Sequence, residues 1–229
     1  MSPRIAVVVP VLDEAPRLVA ALAPLLAEAS QVLVADGGSG DDSPALAHAA
    51  GAAVIAAPRG RALQMNAGAA ALAAGWDAVI FVHADTRLPM GWAARVGEAL
   101  RAGARWGRFD VRLDSSRLLL RGVGAMMNRR SRLTGICTGD QAIFVSAAAW
   151  RAVGGYPEIP LMEDIALSAA LRRAAGRPAA LRPPAVTSAR RWERDGVLRT
   201  ILLMWSLRLR YFLGESPRRL HRRYYGGPP

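Results

Sequence analysis

The sequence predicts an α/β fold, a mostly parallel, Rossmann-like sheet with flanking helices, and three observations carry that prediction. Residues 5–9, 32–35, 53–56 and 78–82 are short, continuous apolar runs, the pattern of strands buried on both faces. Ala- and Leu-rich stretches of helical composition lie between and after them, at 17–29, 44–50, 61–74 and 91–102. Such strand–helix alternation implies parallel strands joined by crossover helices. Each strand run also ends on a polar cluster, at 10–14, 36–42, 58–61 and 83–87. All four clusters therefore fall on the carboxyl rim, where sheets of this kind bind ligands.

In chain order, VVVPVLDEA is expected to end its strand at Pro10, because proline cannot donate to a central ladder. Asp13 and Glu14 then stand at the entry of a helix whose first turn holds Pro16. VLVADGGSGDDS closes the second strand on Asp36, turns on glycines, and offers Ser43 as the cap before Pro44. The Asp36 carboxylate either ties its own turn together or accepts hydrogen bonds from a nucleobase or ribose. GGSG has neither the spaced glycines of a dinucleotide fingerprint nor a Walker lysine. In RGRALQMNAG, Arg59 and Arg61 stand beside a helix N-terminus, a poor place for a cation unless a phosphate joins it. Asn66 lies within the same helix. FVHADTRLP leaves its strand on His83, Asp85 and Thr86. Asp85 suits a divalent cation if a diphosphate supplies further oxygens; otherwise Asp85 or Thr86 caps the next helix.

The second half is less regular, with strands expected at 106–113 and 141–145 and helices at 118–131 and 162–175. The last of these opens on Glu163 and Asp164. Neighbours on a helix diverge by about 100°, so one can cap while the other faces a pocket as a general base. SARRWERDG sets Arg190 and Arg191 beside Trp192, fitting either a diphosphate and a sugar or a surface cation–π pair. Residues 197–213 are apolar but carry Arg199, Arg208 and Arg210. They read either as a helix packed on the fold or as an amphipathic helix on anionic lipid.

The 229 residues are 52% hydrophobic, enough to build a sizeable core. All 30 basic side chains are arginine, against 18 acids, for a net charge of +12. That excess suits an anionic partner, and equally suits the compositional bias of a GC-rich genome. A single cysteine, Cys137, excludes an internal disulfide and fits a reducing compartment. No run reaches the ~18 uncharged apolar residues of a membrane span, and none resembles a signal peptide. A cytoplasmic location is expected, with attachment to the inner face of the cell membrane as the variant reading. The organisation expected is a domain over 1–192, with a donor half about 1–105 and an acceptor and catalytic half about 106–192. A basic, apolar tail follows over 193–229.

Together these segments resemble the family 2 glycosyltransferases of the GT-A fold. They follow that family's motif order from VVVPVLDEA through VADGGSGD, GRALQMNAG, HADT and MEDIALSAAL to RRW, roughly residues 4–192. GRALQMNAGA, FVHADTRLP and TGDQAIFV are most similar to a small bacterial subgroup associated with radical-SAM neighbours and arsenosugar biosynthesis. The resemblance implies a metal-dependent, inverting transferase. It would use a nucleoside-diphosphate sugar, a UDP-sugar being favoured, with a hydroxyl acceptor and no nucleic-acid partner. It also implies roles. Pro10, Asp13 and Glu14 match the first donor-binding segment, Asp36 the acid at the nucleobase, and Arg61 and Asn66 the segment along the nucleotide. Asp85 matches the acid that holds Mn²⁺ or Mg²⁺. Asp164 matches the catalytic base, with Glu163 beside it. Arg191 and Trp192 match the pair that closes the donor and acceptor site.

The sequence departs from the family pattern at three positions. Gly37 replaces a second acid, His83 stands where the first acid of Asp-x-Asp is common, and Ser188 replaces a glutamine of the processive pattern. A processive polymerase is therefore not expected, and the metal site is less acidic than usual. Three other classes compete. A nucleotidyltransferase would need a basic Gly-rich loop where the acidic residues 10–14 stand. A polyanion- or membrane-binding module would rest on the arginines alone. An inactive partner subunit would have no need of Asp36, Asp85 and Asp164.

Overall fold

The computed structural model describes residues 3–227. Its first half alternates as expected: β1 (Ile5–Val11), α1 (Ala15–Leu26), β2 (Gln31–Asp36), α2 (Ser43–Ala49), β3 (Ala53–Ala56), α3 (Arg61–Ala71) and β4 (Ala78–Phe81). A two-residue β5 (Thr86–Arg87), α4 (Trp92–Arg101), β6 (Trp106–Asp114) and α5 (Leu118–Thr134) follow. A 3-10 turn (Gly139–Gln141) leads into β7 (Phe144–Ser146), α6 (Ala147–Val153) and α7 (Glu163–Ala175). The chain then forms β8 (Ala179–Ser188), α8 (Arg190–Asp195), α9 (Val197–Phe212) and α10 (Pro217–Tyr225).

One sheet runs β3-β2-β1-β4-β7-β6-β8-β5. Strands β3, β2, β1 and β4 are mutually parallel, β7 is antiparallel to β4 and β6, and β8 is parallel to β6. Side-chain alternation divides the core between the two faces. Val7, Val9 and Val34 meet Leu18 and Leu22 of α1 and Trp92 and Val96 of α4. Ala6, Val8 and Leu33 meet Met65 of α3 and Leu167 and Leu171 of α7. On that second face Gly68 lets α3 approach β1 closely. A Cβ there would fall 2.4 Å from a Val8 methyl.

Four expectations are corrected. Strand β1 does not end at Pro10 but continues to Val11. Val82 donates to the Val8 carbonyl, so the even-numbered residues of β1 face β4, and β4 pairing stops at Val8. The missing N–H of Pro10 therefore faces a side with no ladder to complete. Ser43 is the first residue of α2 rather than its cap; its hydroxyl accepts the Glu14 amide at 2.9 Å instead. Neither Asp85 nor Thr86 caps α4, since Thr86 opens β5 and α4 begins after Gly91. The amides of Gly91 and Ala93 are taken up by the Glu28 carboxylate, at 2.7 and 3.0 Å. The strand expected at 141–145 begins later, after the 3-10 turn, at Phe144.

Elements β5, α6, β8, α8 and α10 have no counterpart in the sequence-based expectation. Strand β8 contains Pro183 and Pro184 in the middle of a ten-residue strand. Its pairing with β6 jumps from Leu181↔Phe109 to Ala185↔Val111, so the two prolines sit in a bulge that asks no amide of them. Beside the bulge, Asp110 is buried and accepts hydrogen bonds from fully buried Arg108, from Arg132 at 2.6 Å and from Arg182 at 3.0 Å. Helix α9 packs Val197 and Ile201 near Leu120 and Val123, and Leu203 and Leu207 near Leu220 of α10.

Candidate active site

Beyond the carboxyl ends of β1 and β4 lies a cavity of about 600 Å³, roofed by α5, α8, α9 and α10. Glu14, Arg61, Asp85, Glu163, Asp164, Arg191 and Trp192 all line it, although they span nearly 180 residues of sequence. Parallel β1 and β4 deliver Glu14 and Asp85 to one rim, and the start of α3 adds Arg61. Helix α7 adds the two acids from its own first turn, where its unpaired amides favour negative charge.

Those two acids differ in their surroundings. Both oxygens of Asp164 are held: Oδ2 accepts the Gly139 amide at 3.0 Å and Oδ1 the Ile165 amide at 2.7 Å. Burial pushes the Asp164 carboxyl up, and those amides only partly offset the rise. Glu163 is 6% exposed. Burial, followed by the neighbouring Asp164 charge, pushes its carboxyl up to about 7, with Arg61 pulling the other way. A carboxyl poised there changes protonation near neutral pH, as acid–base chemistry requires.

Apart from His83, the basic side chains of the cavity are guanidinium groups. Arg190 reaches the Glu14 carboxylate at 3.4 Å, joining α8 to the entrance of α1. Arg191 lies 4.1 Å over the ring of Tyr224 from α10. On α5, Nε and Nη2 of Arg130 are buried with no hydrogen-bond partner among the described residues. Burial correspondingly lowers its affinity for a proton, against the pull of Asp164.

Several wall residues escaped the sequence reading. Asp140 stands with its Oδ1 3.7 Å from Nδ1 of His83. Desolvation would raise that carboxyl, but His83, with Arg61 and Arg191, outweighs it and holds the carboxyl low. Gly139 is packed on the same imidazole: a Cβ there would fall 2.4 Å from His83 Cε1. The available signal was Thr138 and Gln141, spaced as in a capping box, of which the Gln141 side chain accepts the Thr138 amide at 3.2 Å. Tyr224 belonged to what read only as a basic tail.

Four expected site residues are placed elsewhere or engaged otherwise. Asp36 accepts the Gly38 and Ser39 amides, at 3.0 and 3.1 Å, and the Ser39 hydroxyl, so its carboxylate ties its own turn. Asp13, at φ +54°, accepts the Gly40 amide at 2.7 Å. Asn66 exchanges two hydrogen bonds with the Tyr156 backbone, at 2.9 and 2.8 Å, bracing α3 against the approach to α7. Pro10 lies in β1 and, like the other three, outside the cavity wall. Gln64, which was not singled out, clamps the ends of β1 and β2 by donating to the Val11 and Ala35 carbonyls.

The model of glycosyl transferase family 2 matches residues 6–150. The chain belongs to that family. Among solved structures it is similar to a mycobacterial protein, at 21% identity and TM-score 0.59, covering 81% of this chain and 65% of that one. It is similar also to glucosyl-3-phosphoglycerate synthase from Mycobacterium tuberculosis, at 18% identity and TM-score 0.59, covering 81% and 70%. That enzyme was crystallised with Mn²⁺, UDP and glucosyl-3-phosphoglycerate, with Mn²⁺ and UDP-glucose, and with Mg²⁺ and UDP. These likenesses show the GT-A fold for this family 2 chain, and the chain spans about two thirds of each relative's length. No curated protein matches the sequence.

A divalent cation fits this family 2 site in one way only. Among the described residues no three His, Cys, Asp or Glu side chains form a metal cluster. Asp85, half-buried on the wall and bonded only weakly by Thr86 at 3.4 Å, is free to give a hard cation one oxygen. Mg²⁺ and Mn²⁺ are commonly held by one or two carboxylates, with phosphate oxygens and water completing the shell.

Proposed function

We propose that this family 2 chain transfers a sugar from a nucleoside-diphosphate sugar, a UDP-sugar by preference, to a hydroxyl acceptor with inversion at the anomeric carbon. The observation that carries the reading is one cavity with Asp85, Arg61 and Arg191 on its wall and the acids of α7 beside them. Arg61 and Arg191 would bind the diphosphate and stabilise the charge it gains on leaving. Asp164, oriented by the Gly139 and Ile165 amides, would take the acceptor hydroxyl's proton. Asp85 would hold Mn²⁺ or Mg²⁺, which supplies further neutralisation of the diphosphate. Trp192 would offer its indole face to the acceptor. Asp13, Glu14, Asp36 and Asn66 would shape the donor side, largely by fixing the backbone around it. In this scheme residues 1–105 serve the donor and 106–192 the acceptor. The similarity of GRALQMNAGA to the arsenosugar-associated subgroup makes a small hydroxylated acceptor of that chemistry the first to try.

A second assignment of the base has an observation in its favour. Among the described residues no other residue hydrogen-bonds the Glu163 carboxyl, which sits at about 7, where a general base works best. The two assignments separate by variant, since only the true base loses its limb of the pH–rate profile on substitution.

The test is thermal-shift binding of UDP, GDP, ADP and dTDP, each with Mn²⁺, Mg²⁺ or chelator, on the wild type and Asp85→Ala. The expected result is stabilisation by one nucleotide that needs both the cation and Asp85. Well-folded protein that responds to no nucleotide would overturn the reading.

A further inference from the structure

Helix α9 has one side in the fold and another that nothing covers among the described residues. Leu198, Leu202, Trp205, Leu209 and Phe212 recur at alternating spacings of four and three, and Leu213 follows directly. All six are exposed, from 60% at Trp205 and Leu209 to 86% at Phe212. At about 100° per residue they occupy a single stripe roughly 100° wide along the helix. Solvated helices normally carry polar groups there, and a continuous exposed apolar strip marks an interaction surface.

The borders of the stripe are cationic. Arg199 and Arg210 fall along one edge and Arg208 along the other. Residues 197–225 hold seven arginines against one acid, Glu215, a net of six positive charges and half the excess of the whole chain. Glu215 is itself paired with Arg210 at 3.1 Å and Arg223 at 3.0 Å.

We propose that the α9 stripe docks on an anionic lipid bilayer, lying in the plane of the interface. Its leucines, Trp205 and Phe212 enter the acyl boundary while the bordering arginines meet the headgroups. An apolar face flanked by arginines on both edges is the pattern of an interfacial helix. A second copy of this chain is a poorer occupant, because it would bring the same positive borders face to face. No helix among the described residues is long and apolar enough to cross a membrane, so docking here is attachment rather than insertion. Trp205 belongs both to the stripe and to the cavity wall, so docking turns the cavity mouth toward the lipid. The inference stands independently of the sugar-transfer reading.

The test is co-sedimentation of the full chain with phosphatidylcholine vesicles, with and without roughly 30% phosphatidylglycerol, at low and high salt. Leu202→Glu/Leu209→Glu breaks the stripe at positions outside the cavity, and Arg199→Gln/Arg210→Gln weakens the border without touching the stripe. Size-exclusion light scattering gives the oligomeric state. The wild type should bind the anionic vesicles at least tenfold more tightly than the neutral ones, less so as salt rises. The leucine variant should lose at least tenfold while melting normally and keeping its nucleotide-induced thermal shift. The arginine variant should lose selectivity for the anionic lipid. Wild-type protein that stays in the supernatant with anionic vesicles overturns the proposal, as does a leucine variant that binds like the wild type. A wild-type dimer split by the leucine variant would assign the stripe to a second copy instead. Vesicle binding without any nucleotide response would leave this inference standing and defeat the transferase reading alone.

Discussion

Glu163→Gln should stabilise the folded chain at alkaline pH and leave it almost unchanged in acid. Burial and the adjacent Asp164 raise the Glu163 carboxyl from an ordinary 4.5 to about 7. Between those values the folded chain keeps a proton that the unfolded chain has released, so stability falls as pH rises across that window. At about 1.4 kcal/mol per pH unit, the loss is complete above pH 7 and amounts to roughly 3 kcal/mol. Glutamine does not titrate and fits the same volume. The variant should therefore match the wild type near pH 4 and exceed it by up to about 3 kcal/mol at pH 8. Urea unfolding of both proteins, followed by tryptophan fluorescence from pH 4 to 8, measures the difference directly. Contributions from other carboxyls cancel in the comparison, apart from the easing of Asp164 when its neighbour loses charge. A difference that stays flat with pH would refute the reasoning. So would a variant less stable at pH 8, because a flat difference would mean an unshifted carboxyl and a less stable variant a Glu163 held as an anion by Arg61.

Asp164→Asn should lower turnover by about 10²- to 10⁴-fold, the usual worth of a positioned base, with nucleotide thermal shifts retained; retained turnover would pass the role to Glu163. Gly139→Ala should cost about 1–3 kcal/mol in urea unfolding, because its methyl meets His83 Cε1 at 2.4 Å. His83→Ala in the same chain should recover most of that loss, and failure to do so would place the strain in the backbone. Asp110→Asn should cost about 3–5 kcal/mol, since fully buried Arg108 loses its counter-charge. Burial disfavours the Asp110 anion, but Arg132, Arg108 and Arg182 outweigh it and hold the carboxyl low. Its stabilisation is thus present at neutral pH and lost as pH falls through that lowered value, so an Asn variant should show a shallower acid limb.

The β3-β2-β1-β4 half of the sheet was legible because a strand buried on both faces has to be written in apolar residues. The runs before Asp36 and His83 leave no other reading, and their polar successors mark the rim. The far edge was not. Strand β8 reads ALRPPAVTS, and two prolines look like a linker until the bulge against Phe109 and Val111 shows that no amide is missed there. Helix α10 looked like a basic run because four arginines mask Leu220 and Tyr224, which point inward at helical spacing. Asp85, Arg61, Glu163 and Asp164, singled out from motifs far apart in sequence, line one cavity. Asp36 and Asn66 do not line it, and their side chains hydrogen-bond to backbone within the fold. Short polar groups serve loops and ligands with the same atoms, and only the three-dimensional partners tell the two uses apart.

The lining of the cavity has one lasting consequence for its titration. Its acids include one poised at about 7, whereas its basic groups, His83 apart, are guanidinium groups without a single lysine. Guanidinium does not give up its proton in any buffer a protein survives. The arginine share of the positive charge is thus a fixed background, and the phenol of Tyr224, pushed up to about 12, leaves the alkaline side equally silent. Amine-directed acylating reagents would find nothing to modify on the wall, while dicarbonyls that condense with guanidinium would.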